Sequence, residues 1–137
     1  MSRVLGLDFG LKRIGVALSD PGRTIASPHA VIQHRGYGPS ARTVKRLAGE
    51  TGSGLVVLGL PLMMDGTQGP QAGEALGFAE ALRREGLEVR LQDERLTSLE
   101  AEEALKQGGK TWREGKALVD QVAAALILQA WLDENRV

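Results

Sequence analysis

The chain has 137 residues, no cysteine, only five aromatic residues, and seventeen Lys/Arg balanced by seventeen Asp/Glu. These counts exclude a disulfide scaffold, a zinc–thiolate centre and a thiol nucleophile. Zero net charge argues against a strongly cationic nucleic-acid binder. No segment reaches the ~18 uninterrupted apolar residues of a membrane span, and Met1-Ser2-Arg3 leads directly into a strand-like run without a signal-peptide core. A soluble, cytoplasmic protein of one domain over residues 1–137 is expected. The charge is unevenly spread: residues 1–50 hold eight Lys/Arg against three Asp/Glu, and residues 51–137 hold nine against fourteen. Such a chain can turn a basic face to phosphates and use carboxylates elsewhere for metal ions, or simply solvate its surface.

In chain order, Val4-Leu5-Gly6-Leu7-Asp8 is a short apolar run ending in an acid and predicts a buried strand. Phe9-Gly10-Leu11 turns the chain into a second strand, Arg13-Ile14-Gly15-Val16-Ala17-Leu18-Ser19. The turn Asp20-Pro21-Gly22 then hairpins into a third strand over residues 24–33. A helix capped at Ser40 follows, with Arg42, Lys45 and Arg46 on one face and Val44, Leu47 and Ala48 toward the core. Gly54-Leu55-Val56-Val57-Leu58-Gly59 has the continuous apolar character of a parallel strand covered on both faces. A loop over 61–70, a helix over 71–85 and a strand over 87–91 come next. Thr97 and Glu100 have capping-box spacing for a further helix ending at Gly108-Gly109, and the last helix is expected over 117–134. The pattern is α/β: a five-stranded mixed sheet with helices on both faces.

Three acids stand out against this pattern. Asp8 ends an apolar strand, where a carboxylate needs a partner, a metal or a turn to cap. Asp93 and Glu94 follow the fifth strand, at the strand ends where open α/β sheets bind ligands, or in an ordinary solvated loop. Asp120 shares a helical face with Ala123, Ala124, Ile127 and Trp131, the face expected to dock on the sheet. It is either a site residue or the N-cap of a helix starting at Gln121. Three such acids without a nucleophilic Cys or His suggest hard oxygen ligands for Mg2+ or Mn2+. Two such ions ~4 Å apart can drive in-line phosphoryl displacement. Gly66 and Thr67 offer phosphate donors or form a plain turn with Asp65. His29 and His34 read as surface residues, and Trp112, in a late loop with Lys110, Arg113 and Lys116, is placed to stack on a base.

Leu5-Gly6-Leu7-Asp8-Phe9-Gly10 with Lys12-Arg13-Ile14-Gly15-Val16-Ala17 resembles the opening motif of the YqgF/RuvX family. Four later blocks match in order: Val57-Leu58-Gly59-Leu60-Pro61-Leu62, Asp65-Gly66-Thr67, Asp93-Glu94-Arg95-Leu96-Thr97-Ser98 and Val119-Asp120-Gln121-Val122-Ala123-Ala124. The resemblance covers essentially the whole chain. It implies a ribonuclease-H-like fold related to Holliday-junction resolvases, and a nuclease maturing the 5′ end of pre-16S ribosomal RNA. Carried over by position, Asp8, Glu94 and Asp120 are the catalytic and metal-binding acids. Met63 stands where the family often has Asn.

The expected substrate is precursor rRNA, within ribosomal particles, or branched DNA. Lys12, Arg13, Arg42, Lys45, Arg46, Lys110, Arg113 and Lys116 supply the phosphate contacts. A resolvase needs two active sites to cut two strands, which makes a homodimer an expectation for that substrate. Two rival readings remain. Asp8-Phe9-Gly10 with Lys12 also resembles the phosphate loop of the actin and sugar-kinase superfamily, whose members close two domains around a nucleotide. A non-catalytic RNA-binding assembly factor would rely on basic grooves and stacking platforms, for which the composition is poor.

Overall fold

The computed structural model of the protein describes residues 2–61, 65–94 and 112–135, with side chains from 120 onward in the last segment. Five strands form one sheet: β1 (Arg3–Phe9), β2 (Arg13–Ser19), β3 (Ala26–Gln33), β4 (Ser53–Leu60) and β5 (Val89–Asp93), in the order β3-β2-β1-β4-β5. Strands β1, β2 and β3 form an antiparallel meander, while β1–β4 and β4–β5 are parallel pairs. The parallel steps need crossovers, supplied by helices α1 (Tyr37–Thr51) and α2 (Pro70–Arg84). A long helix α3 (Trp112–Glu134) lies on the opposite face. The mixed sheet with helices on both faces is therefore the observed architecture. Among the described residues no helix is long and apolar enough to cross a membrane.

Side-chain alternation divides the central strands between two cores. Leu5, Leu7, Ile14, Val16, Val56 and Leu58 face α1 and α2, where Val44, Phe78 and Leu82 complete a large cluster. Val4, Ala17, Leu55 and Val57 face α3 and meet Ala124, Ile127, Leu128 and Leu132. This second face is built from smaller residues, so the helix rests close to the sheet. At Gly6 a Cβ would lie 2.6 Å from the Leu128 Cβ and 3.0 Å from the Ala124 carbonyl oxygen.

Several expected boundaries move. Helix α1 begins after Gly36, whose φ of 105° suits glycine, and not at Ser40. Ser40 is buried within the first turn, where its Oγ meets His34 Nδ1 at 2.8 Å and accepts the Arg35 N–H at 3.1 Å. Strand β5 starts and ends two residues later than alternation suggested, which makes Asp93 its last residue. The Asp20 turn forms as expected, with Asp20 Oδ1 accepting the backbone N–H groups of Thr24 and Ile25 at 2.7 and 3.0 Å. Helix α3 starts at Trp112, five residues before the periodicity suggested, which removes Trp112 from a loop. The helix proposed between Thr97 and Gly109 lies outside the described residues, as do Met63 and Lys110.

Two glycine substitutions should move stability in opposite directions. Gly6→Ala forces α3 away from β1 and should destabilise by about 1–3 kcal/mol, the usual range for overpacking. Gly49→Ala, in α1 with nothing within 4 Å of the added Cβ, should stabilise by about 0.4–1 kcal/mol. Urea midpoints of the two variants check both signs. Equal midpoints would mean that α3 does not rest on β1 as described.

Candidate active site

All three sequence-predicted acids lie at one edge of the sheet. Strands β1, β3, β4 and β5 end there and β2 begins there, because β2 runs antiparallel to its neighbours. Asp8 is the penultimate residue of β1, on the face that carries α3. Its partner across the antiparallel pair is Gly15, and a Cβ at Gly15 would fall 1.9 Å from the Asp120 carbonyl oxygen. On the other side β1 pairs with β4 through Leu7 and Leu58, so Gly59 lies next to Asp8. A Cβ at Gly59 would fall 2.6 Å from both Glu94 Oε2 and Ile127 Cδ1. The missing side chains of Gly15 and Gly59 thus leave room on either flank of Asp8. One gap takes the α3 backbone at Asp120 and the other takes the Glu94 carboxyl group. The backbone N–H of Glu94 donates to the Leu60 carbonyl at 3.2 Å, extending the β4–β5 ladder one residue beyond the strand.

Asp120 is the ninth residue of α3, well inside the helix, which rules out its role as an N-cap. Its Oδ2 accepts a hydrogen bond from Arg13 Nε at 2.7 Å, a part-buried ion pair linking residues far apart in sequence. Asp8 and Glu94 are joined by a hydrogen bond. Burial pushes the Asp8 carboxyl up to about 6; the bond from Glu94 draws it down, and the charge of Asp120 pushes it up again. Burial, the charge of Asp8, the hydrogen bond to Asp8 and the charge of Asp93 together push Glu94 up to about 9. Both shifts favour the protonated form, so near neutral pH the pair holds a proton more readily than isolated carboxylates do. Among the described residues no group of three acids or histidines is disposed to hold one ion. Asp8 and Glu94 form a pair, and Asp120 stands beside it, tied to Arg13.

The basic residues divide by position. Lys12 is exposed in the turn after Asp8, and Arg13 is engaged with Asp120. Helix α1 starts at the acid edge, since the His34 N–H donates to the Lys12 carbonyl at 3.0 Å and the Phe9 and Tyr37 rings are 6.0 Å apart. Arg42 is exposed near that end. Lys45 and Arg46 lie on the next turns, and Arg46 pairs with Glu50 at 3.7 Å. Arg113 and Lys116 belong to the first turns of α3, and their side chains lie outside the described residues.

His34 departs from its expected surface role: it is half-buried, edge-on to Phe9 at 4.9 Å and bonded to Ser40. His29 is exposed, as expected. Thr67 gives both its N–H and its hydroxyl to Asp65 Oδ1, at 3.0 and 2.7 Å, so this segment is a closed turn rather than a set of free phosphate donors. Sequence reading missed the Arg13–Asp120 pair and the two flanking glycines. The glycines carried a signal: Gly15 and Gly59 interrupt strand patterns, and glycine inside a strand marks a close approach.

Residues 2–134 match the family model described as "RuvX: Holliday junction resolvase". A protein of Anaeromyxobacter sp. (strain Fw109-5) named "Putative pre-16S rRNA nuclease" is 46% identical over 132 residues, which is 96% of each chain. A protein of the same name from Syntrophomonas wolfei is 43% identical over 133 residues, 96% of this chain and 94% of the relative. Among solved structures, T. thermophilus RuvC in complex with a Holliday junction substrate superposes with a TM-score of 0.55 at 14% identity, covering 96% of each chain. The Fowlpox virus resolvase bound to Holliday junction DNA gives a TM-score of 0.56 at 11% identity, covering 96% of this chain and 97% of the resolvase. At such identities the likeness is one of fold, and that fold is the ribonuclease-H-like one.

The raised carboxyls give stability a definite pH dependence. Glu94 keeps a proton in the folded chain up to about pH 9, whereas the unfolded chain loses it near the ordinary value of 4.5. The folded state binds more protons in that window, so without metal its stability falls as pH rises through it. Asp8 acts in the same direction between its ordinary 3.8 and about 6. Melting temperature in chelator should therefore drop steadily from about pH 5 to about pH 9, and Glu94→Gln should remove most of the slope. A wild-type protein with flat melting behaviour across this range would contradict the shared proton.

Proposed function

Because the chain belongs to the RuvX family, we propose that it is a metal-dependent nuclease that hydrolyses phosphodiester bonds at the edge carrying Asp8, Glu94 and Asp120. The observation that supports this most is the half-buried Asp8–Glu94 carboxyl pair, both members pushed up by desolvation, beside a third carboxylate held by a guanidinium. Buried like charges persist only with such compensation, and a divalent cation compensates them better than a proton does. The donor set fits Mg2+ or Mn2+: all oxygen, all carboxyl, with no soft ligand. Asp8 and Glu94 would hold the cation, with Asp120 joining them. The bound ion would supply an activated water and stabilise the leaving oxygen of an in-line displacement.

The protein's own groups do the rest. Glu94 releases its proton to become a ligand, so cation affinity rises with pH. Strand β1 holds Asp8 rigidly, and Gly15 and Gly59 let the other two acids approach it. Lys12 and Arg42 at the acid edge, with Arg13, Lys45, Arg46, Lys110, Arg113 and Lys116, supply contacts to the phosphate backbone that carry no sequence information. The 137 residues act as one catalytic unit.

For the substrate we propose pre-16S rRNA, after the names of relatives that match nearly the whole chain, and with it cleavage at the 5′ end within assembling ribosomal particles in the cytoplasm. The family description favours a second substrate, the four-way DNA junction, for which a homodimer would be required. The test presents the purified protein with a precursor-rRNA fragment and a four-way DNA junction, each with Mg2+, Mn2+ or chelator. Metal-dependent cleavage of the RNA at a defined 5′ position is expected. Asp8→Asn should lower it by at least about a hundredfold, since losing even an outer partner of a metal ligand costs about ten- to a hundredfold. Junction cleavage alone would transfer the proposal to DNA. Cleavage retained in Asp8→Asn would end the metal-site reading.

A further inference from the structure

Arg13 and Asp120 meet through one defined contact, Nε to Oδ2 at 2.7 Å, with side chains 30% and 21% exposed. Both partners are anchored. Arg13 opens β2 on the face that carries α3, two residues before Gly15, and the Asp120 backbone packs directly over Gly15. The helix backbone already touches the strand at Gly15 and cannot come nearer, so rotation of the Asp120 side chain is what moves its carboxylate toward Asp8. Among the described residues Arg13 has no other ion-pair partner, and no three acids are disposed around one ion while it holds Asp120. A guanidinium is a permanent cation that cannot leave by deprotonation. It therefore offers Asp120 the same compensation that a metal ion would offer.

From these contacts we infer that Arg13 is a latch on the third ligand: it neutralises Asp120 in the metal-free protein and must release it when a divalent cation binds. Arg13 is thus a positioning residue acting through Asp120, and it sets the affinity of the site for its cation. Release also turns the guanidinium outward at the edge where Lys12 is exposed, placing it for the substrate's phosphates only once the ion is in place. The latch rests on the reading of Asp8, Glu94 and Asp120 as ligands.

The wild-type protein can report the exchange directly. The Nε–H resonance of Arg13, assigned by its loss in Arg13→Gln, should lie at a hydrogen-bonded position without metal. It should move to the position of a free arginine side chain as Mg2+ saturates the site. Arg13→Gln should tighten Mn2+ binding roughly tenfold by calorimetry, the scale expected from removing one unit charge next to a partly exposed carboxylate. Arg13→Lys, which keeps the charge, should bind Mn2+ close to the wild-type affinity. Weaker Mn2+ binding by Arg13→Gln would make Arg13 a support for Asp120 rather than a competitor and would overturn the latch. So would an Arg13 resonance unmoved at saturating Mg2+ when binding is still abolished by Asp8→Asn. If neither ion binds wild-type protein, the ligand reading fails, and the latch with it.

Discussion

Like charge at the edge of the sheet is the constraint on which the rest of the structure depends. Three carboxyl groups approach one another there, all half-buried, and burying a carboxylate without compensation is costly for a small domain. The chain meets the problem with a proton on the Glu94–Asp8 pair and a guanidinium on Asp120. Both are compensations that a divalent cation can replace.

The scaffold makes this crowding possible by subtraction. Asp8 sits on the central strand between two neighbours that carry glycine beside it, and around it the face toward α3 uses Gly6, Gly15, Ala17 and Gly59. The other face carries the bulk, with Phe78, Leu82, Leu5 and Leu7 filling the space under α1 and α2. The division has a functional reason. Large apolar side chains anchor the sheet from one side, while the thinner layer lets a helix bring Asp120 close to Asp8. Asp8 on a strand and Asp120 on a long helix are held more firmly than groups on loops, which suits the ligand role proposed for them.

Much of this was legible from the chain alone, and the reasons differ by residue. Asp8 betrayed itself by ending an apolar strand, and β2 was bounded correctly by its alternation. The mixed sheet with helices on both faces followed from the contrast between an antiparallel opening and continuous apolar runs later. Asp120 was ambiguous because the early part of α3, with Arg113, Glu114 and Lys116, lacks an apolar period, so the sequence also allowed a helix starting at Gln121 with Asp120 as its cap. Arg13 was assigned to phosphate because local sequence shows a basic residue beside a turn and cannot show a partner on the last helix. His34 looked exposed for a similar reason, since its partners Phe9, Phe78 and Ser40 come from three separate elements. Contacts of this kind are created by the fold and leave little trace in neighbouring residues.

In the metal-free protein a proton on the Glu94–Asp8 pair stands where we propose that a divalent cation binds. Calorimetric titration of Mn2+ into the metal-free protein at neutral pH, repeated in buffers of different ionisation enthalpy, measures the protons released per ion bound. Close to one proton should leave the wild-type protein as the ion binds, and Glu94→Gln should release almost none. Binding by the wild-type protein without proton release, or equal release from both proteins, would contradict it.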